Sequence, residues 1–330
     1  MKFSECAPCK LILFGEHYVV YGAPAISIPI GPMNRVEFSA QSEGEIILES
    51  KLGTGRISQC GDYSGEPALS IYAKVAKAVY PKGNLPSCSA KFMPAVEMKG
   101  IGTSSSLCAA FAKGLFALKG EKPSKKRLFD AVQAGDAIAH HGRASGIDAK
   151  TVVESVPLFF RKDTKNGRLI CRKAKFSLPA SAAILLIDTF AGKRSSTGEM
   201  IMRFASSFGV SNPPHLLPDK ERAKILEEYL VLWKKVRPAL EEGNVEQIGK
   251  LMLENQLLLE KRGVSSEGIR NAVEAAIKAG AFGAKLSGAG GEGGVVAALV
   301  SKSKKAEIAR KISKLTGFRC LQATLFLSKE

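Results

Sequence analysis

The 330-residue chain is short of acidic charge, of aromatic residues and of long apolar runs. It sets 31 Asp+Glu against 48 Lys+Arg, a net charge of +17, which favours anionic partners of some kind. A nucleic acid or a membrane surface would qualify. However, one Trp and six Tyr leave little material for stacking bases, and no RNP, zinc-finger or homeodomain signature occurs. A non-catalytic nucleic-acid binder is therefore a remote alternative. No apolar run approaches the roughly 18 residues that span a bilayer, and the longest, Ala182–Ile187, reads as a buried strand. The start, MKFSECAPCK, has no basic region followed by an apolar stretch, so no signal peptide and no membrane partner are expected.

Seven cysteines, odd in number and scattered, do not make a disulfide framework and suit reduced thiols in the cytoplasm. Cys6 and Cys9 form a CxxC, but no second Cys/His pair stands at zinc spacing. The remaining composition, 45% hydrophobic and 24% charged, is that of a folded globular chain. At roughly 150 residues per domain the length suggests two domains.

Apolar strand segments at Lys10–Phe14 and Ala25–Ile30 flank the turn Gly15–Gly22. Apolar spacing predicts helices over Glu66–Tyr80, Ser104–Leu118 and Leu128–His141, then strands between Leu158 and Ile187. Further helices are expected at Asp219–Glu242, Val245–Lys261, Ser266–Ala279 and Lys302–Leu315. Strands and helices mixed in both halves indicate two α+β lobes joined near 155–185.

Three stretches carry chemistry. In Lys99-Gly100-Ile101-Gly102-Thr103-Ser104-Ser105-Ser106, glycines let backbone approach an anion and the following helix aims unpaired N–H groups at it. The hydroxyls of Thr103, Ser104 and Ser105 can bond phosphate or complete a Mg²⁺ shell. No Walker A pattern is present, and an ordinary helix cap is the competing reading. The stretch from Ala7 to Gly22 sets Lys10, Glu16 and His17 around an apolar strand and its turn. Lys285-Leu286-Ser287-Gly288-Ala289-Gly290-Gly291-Glu292-Gly293-Gly294 packs five glycines into seven positions, fitting either a backbone wrapped on a ligand or a tight strand crossing.

In this order and at these separations, the three stretches resemble the motifs of the GHMP kinases. The first is similar to the mevalonate kinase form APGKxxLFGEHxVVYG, with Cys9 replacing a glycine; the others resemble GLGSSAA and KLTGAGGGG. A fourth segment, His141-Gly142-Arg143-Ala144-Ser145-Gly146-Ile147-Asp148, resembles HGxPSGxD. The resemblance covers nearly the whole chain. It implies a two-lobe α+β fold, ribosomal-S5-like then ferredoxin-like, with domains at 1–165 and 166–330. It also implies transfer of the ATP γ-phosphoryl group to the 5-hydroxyl of mevalonate, or to a phosphorylated mevalonate, and leaves a homodimer open.

By the same resemblance Asp148 is the base and Lys10 the charge stabiliser, while Lys99–Ser106 wraps the ATP phosphates. Glu16, His17, Thr197, Ser145, Gly288, Ala289 and Gly290 meet the acceptor, and Ser104 ligates Mg²⁺. Departures are informative. The position of the family's Mg²⁺-binding glutamate is Ala137, so Asp136 is the expected substitute. Glu97-Met98-Lys99 replaces a Pro/Gly approach, and Glu292 brings a carboxylate into the third motif, which costs phosphate affinity unless it turns outward. Lys193, Arg194 and Arg143 are available for a second phosphate. A decarboxylase relative is disfavoured by the form of the first motif.

Overall fold

The computed structural model describes residues 2–41, 44–139, 145–174, 178–211 and 214–326. The chain forms two compact α+β units that interleave in sequence. Unit 1 comprises Met1–Lys10, Ile30–Glu97 and Gly102–Ser155; unit 2 comprises Leu11–Pro29, Met98–Ile101 and Val156–Glu330. Their edges do not coincide with a cut at 165/166. Long strands β1 (Lys2–Phe14) and β2 (Ala25–Ala40) each contribute to both units.

In unit 1, β2 pairs with β6 (Cys88–Met93), which runs parallel to β3 (Ile46–Ser50); β4 (Gly53–Ile57) and β5 (Tyr63–Gly65) complete that side. Helices α1 (Ile71–Val79), α2 (Thr103–Leu118), α3 (Lys125–Ala139) and α4 (Ile147–Glu154) accompany the sheet. Phe38, Phe92, Phe111 and Tyr72 interlock in their shared core, with the Tyr72 and Phe92 ring centres 4.0 Å apart. Helix α1 starts five residues later than its apolar stripe suggests. Pro67 opens a short 3₁₀ turn there, with the Glu66 carboxylate accepting from the Ala68 N–H.

In unit 2, the first residues of β2 pair with β7 (Leu158–Lys162), which forms a hairpin with β8 (Leu169–Lys173). A separate antiparallel sheet runs β10 (Gly283–Ser287), β11 (Val295–Ser301), β9 (Ala182–Asp188), β12 (Arg319–Gln322). The apolar run at 182–187 is thus the buried strand expected of it. Helices α5 (Thr197–Ser206), α6 (Asp219–Glu242), α7 (Val245–Lys261), α8 (Glu267–Ala279) and α9 (Lys305–Thr316) complete the unit. Asn244 and Ser266 cap α7 and α8 through their side chains. Gly249 lets α7 press on the entry to β10: a Cβ there would lie 2.2 Å from the Phe282 carbonyl oxygen. Among the described residues no helix is long and apolar enough to cross a membrane.

Candidate active-site residues

In unit 1, Lys10 and Asp148 form an ion pair, Nζ to Oδ1 3.1 Å, with side chains 2% and 14% exposed. A lysine this buried needs a compensating charge, and the carboxylate provides it. Asp148 stands in the first turn of α4, where the helix N-terminus also favours negative charge. Ser145 steadies that turn by accepting from the Ile147 N–H. Gly102 supplies the other wall: a Cβ there would stand 2.8 Å from Lys10 Cγ, so a glycine at φ +71° lets the lysine stem lie against the start of α2. The rest of the fourth motif, His141–Ala144 with Arg143, lies outside the described residues.

The hydroxyls of α2 divide in their tasks. Ser106 Oγ donates to the Ala7 carbonyl at 2.9 Å, and Ser105 Oγ donates to the carboxylate of Asp136. Those two serines are therefore committed internally, and Thr103 and Ser104, both half-buried, stand on the first turn. Gly102 caps α2 without a side chain, so the helix start keeps the N–H character suited to an anion. Asp136 is 1% exposed and faces the packing between α2 and α3, where its charge joins burial in pushing the Cys108 thiol upward. Cys9 is buried and accepts from the Asn34 amide at 3.3 Å, its thiol pushed up to about 11 by burial. It serves there as a packed thiol, and among the described residues no group of three or more His, Cys, Asp or Glu could hold a metal.

In unit 2, the turn after β1 closes tightly: a Cβ on Gly15 would meet Ala25 Cβ at 2.5 Å. It delivers Glu16 to Lys285, both fully buried, in an ion pair supplemented by Lys285 Nζ donating to the Leu286 carbonyl. Gln256 extends the network, accepting from the Leu286 N–H at 2.8 Å and donating to Ser265 Oγ at 2.9 Å. His17 adopts φ 58°, unusual for a residue with a side chain. Its ring stacks on Phe204, and Nε2–H donates to the Ala289 carbonyl at 3.0 Å. Burial lowers the imidazole to about 4; the Lys285 charge acts in the same direction and the Ala289 bond against it. At neutral pH His17 is an uncharged donor that ties the turn to the glycine loop. Sequence reasoning did not single out Lys285 or Gln256. The available signal was a lysine inside an otherwise apolar strand.

The glycine loop owes part of its composition to close crossings. A Cβ on Gly288 would lie 2.9 Å from Gly100 Cα, and one on Gly290 would lie 2.2 Å from the Val264 oxygen. Ser287 Oγ both receives the Ile12 N–H and donates to the Ile12 carbonyl. Glu292 is exposed, and its backbone exchanges hydrogen bonds with Ser195. Thr197 opens α5, half-buried, behind the capping hydroxyl of Ser196. Ile101 is fully buried, whereas Lys99 is half-buried. A cleft of about 570 Å³ in unit 1, lined by Ile47, Arg56, Lys91 and Met93 among others, contains none of the motif residues.

Residues 236–316 match the family model described as GHMP kinases C terminal. The mevalonate kinase of Aeropyrum pernix is 28% identical over 301 residues, covering 88% of this chain and 86% of that protein. The crystal structure of L. major mevalonate kinase in complex with R-mevalonate has a TM-score of 0.77 at 23% identity, covering 99% of this chain and 97% of that one. The phosphomevalonate kinase of Streptococcus pneumoniae, in complex with phosphomevalonate and AMPPNP, has a TM-score of 0.75 at 17% identity, covering 98% and 99%. The chain thus has the α+β fold of the GHMP kinases.

Proposed function

We propose that this chain, an ATP-dependent kinase of the GHMP fold, phosphorylates the 5-hydroxyl of mevalonate as a cytoplasmic enzyme of isoprenoid synthesis. The observation that carries the reading is the Lys10–Asp148 pair, a buried cation against a carboxylate at the start of α4. Asp148 accepts the proton of the hydroxyl as its oxygen bonds to the γ-phosphorus. The bond from that phosphorus to the β–γ bridging oxygen breaks, and ADP leaves. Lys10 stabilises the alkoxide character of the acceptor and the charge on the transferring oxygens. The start of α2, from Lys99 to Ser106, is assigned to the ATP phosphates. Glu16, His17, Ser145, Thr197 and Gly288–Gly290 are assigned to the acceptor, with Glu16 acting through Lys285 and His17 holding the loop.

Magnesium suits the donors available. Ser104 offers a half-buried hydroxyl and Asp136 a carboxylate, and hard oxygen donors beside phosphates are what this ion takes. A carboxylate can accept from Ser105 and still coordinate. Bound there, Mg²⁺ would neutralise phosphate charge; Ser104 and Asp136 would hold it.

A second reading, a kinase of an already phosphorylated mevalonate, is favoured by the basic pair Lys193 and Arg194 beside α5. Assay of the purified protein with ATP and mevalonate, its 3-phosphate or its 5-phosphate separates the two. Turnover of mevalonate supports the first, and turnover of a phosphorylated acceptor alone replaces it with the second.

A further inference from the structure

His17 holds a backbone φ of 58°, which a residue with a side chain keeps where its surroundings over-determine it. The rings around it supply part of that constraint. Phe204 of α5 stacks on the imidazole with ring centres 5.0 Å apart. Tyr18, the next residue along the turn, packs edge to face with Phe204, also at 5.0 Å. Tyr18 stacks in turn on Tyr229 of α6 at 4.6 Å, and the Tyr229 hydroxyl donates to the Pro24 carbonyl at 2.9 Å. Phe208, just past α5, joins the group at 5.4 Å from Phe204.

A cation is set into this cluster. Arg262, at the C-terminal end of α7, has a side chain 11% exposed and lies over the Phe208 ring at 3.9 Å. Its Nη2 donates to the carboxylate of Glu228 on α6 at 2.7 Å. The same guanidinium acts on Tyr18. Burial pushes that phenol up to about 12, with Arg262 opposing the rise and Glu228 adding to it. The influence is one of charge, since Tyr18 Oη and Arg262 Nε have no hydrogen-bond partner among the described residues.

The chain leaving Arg262 grips a third piece. Val264, two residues on, accepts the Gly291 N–H at 2.8 Å, and its oxygen closes the Cβ position of Gly290 at 2.2 Å. The end of α7 thus meets the His17 turn through Tyr18, the end of α5 through Phe208 and the glycine loop through Val264, all within unit 2. Those three pieces carry His17, Thr197 and Gly288–Gly290. An apolar side chain would fill the same space without the cost of desolvating a charge. What the guanidinium adds is a planar face on Phe208 and a fixed bond to Glu228 in one rigid group.

We propose that Arg262 is a positioning residue for the acceptor, holding the His17 turn, α5 and the glycine loop in one arrangement by acting through Tyr18 and Phe208. The proposal rests on the reading above that assigns these three pieces to the acceptor. A lysine at 262 would keep a charge for Glu228 but lacks the planar face that lies on Phe208. Lys261 pairs with the same carboxylate from an exposed position, and its removal is the control.

The test compares wild type, Arg262→Met, Arg262→Lys and Lys261→Met by two readouts. The first is the His17 imidazole titration followed by NMR, with His17→Gln identifying the resonance; Lys285 and the Ala289 carbonyl are the groups that act on this ring. Wild type titrates at about 4. Arg262→Met titrates at least about one pH unit higher as the loosened turn hydrates, Arg262→Lys falls between, and Lys261→Met matches wild type. The second is steady-state kinetics with ATP and mevalonate or its phosphates. Arg262→Met raises the acceptor KM by at least about tenfold and leaves the ATP KM within about twofold, while Lys261→Met changes neither. A folded Arg262→Met in which either the His17 titration or the acceptor KM is unchanged overturns the proposal, as does an equal effect from Lys261→Met. Should Arg262→Met fail to fold, Arg262→Lys decides by the same criteria. If wild type turns over none of the acceptors, the acceptor reading has failed, and the His17 titration still decides whether Arg262 holds the turn.

Discussion

Lys285 reaches across 269 residues of sequence to place its ammonium against the carboxylate of Glu16, with both side chains removed from solvent. The pair joins the turn after β1 to the strand that enters the glycine loop. The adjacent His17–Ala289 bond adds a second tie between the same two stretches.

Breaking one partner of this pair leaves the other charge buried. Glu16→Gln or Lys285→Met alone is expected to cost about 3–5 kcal/mol of unfolding free energy, measured by urea titration. The double variant Glu16→Gln/Lys285→Met recovers much of that loss. Additive losses in the double variant would mean the two side chains are energetically independent.

His17 predicts the sign of a pH dependence. Its folded imidazole titrates near 4, below the ordinary 6.5, so between those values the unfolded chain binds more protons. The His17 contribution is fully present above about pH 6.5 and is lost as pH falls towards 4. It amounts to about 2 kcal/mol between pH 7 and pH 5. His17→Gln should flatten that part of the stability profile; an unchanged slope would assign it to other groups.

Gly102→Ala places a methyl group against the stem of Lys10 at a backbone φ of +71°. The backbone strain is expected to cost about 1 kcal/mol in stability. Displacement of Lys10 should lower kcat by at least about tenfold, a small misplacement at a reacting centre being expensive. Loss of stability with kcat intact would separate Gly102 from the placement of Lys10.

Ser104 and Asp136 differ from Ser105 in their expected response to Mg²⁺. Ser104→Ala and Asp136→Asn should each raise the Mg²⁺ concentration for half-maximal activity by about tenfold. Ser105→Ala, which removes only the donor to Asp136, should lower thermal stability with a smaller change in Mg²⁺ demand. Equal Mg²⁺ profiles for all three would remove Asp136 from the metal site.

Local signals made much of this legible. Apolar spacing marked seven of the nine α-helices of the described residues to within a few positions, α1 starting late where Pro67 diverted the chain; α4 and α5 were not expected. Lys10 and Asp148 were legible as a pair through their ordered motifs, and the structure brings them to 3.1 Å. The Glu16–Lys285–Gln256 network was not, because its members meet only through tertiary packing and each alone looks like an ordinary polar residue. Strand β1 begins at Lys2, eight residues before its apolar run, since pairing with β2 rather than composition extends it. The backbone tie of Glu292 to Ser195 and the commitment of Ser105 and Ser106 likewise depend on neighbours distant in sequence.

The most direct test of the central claim compares wild type with Asp148→Asn, measuring γ-phosphoryl transfer to mevalonate and its phosphates alongside ATP binding by calorimetry. Wild type should phosphorylate at least one of these acceptors. The variant should lose about 10²–10⁴-fold in kcat while keeping its fold and binding ATP within about threefold of wild type. Transfer by Asp148→Asn at the wild-type rate, or no turnover of any mevalonate-class acceptor by wild type, would contradict the account.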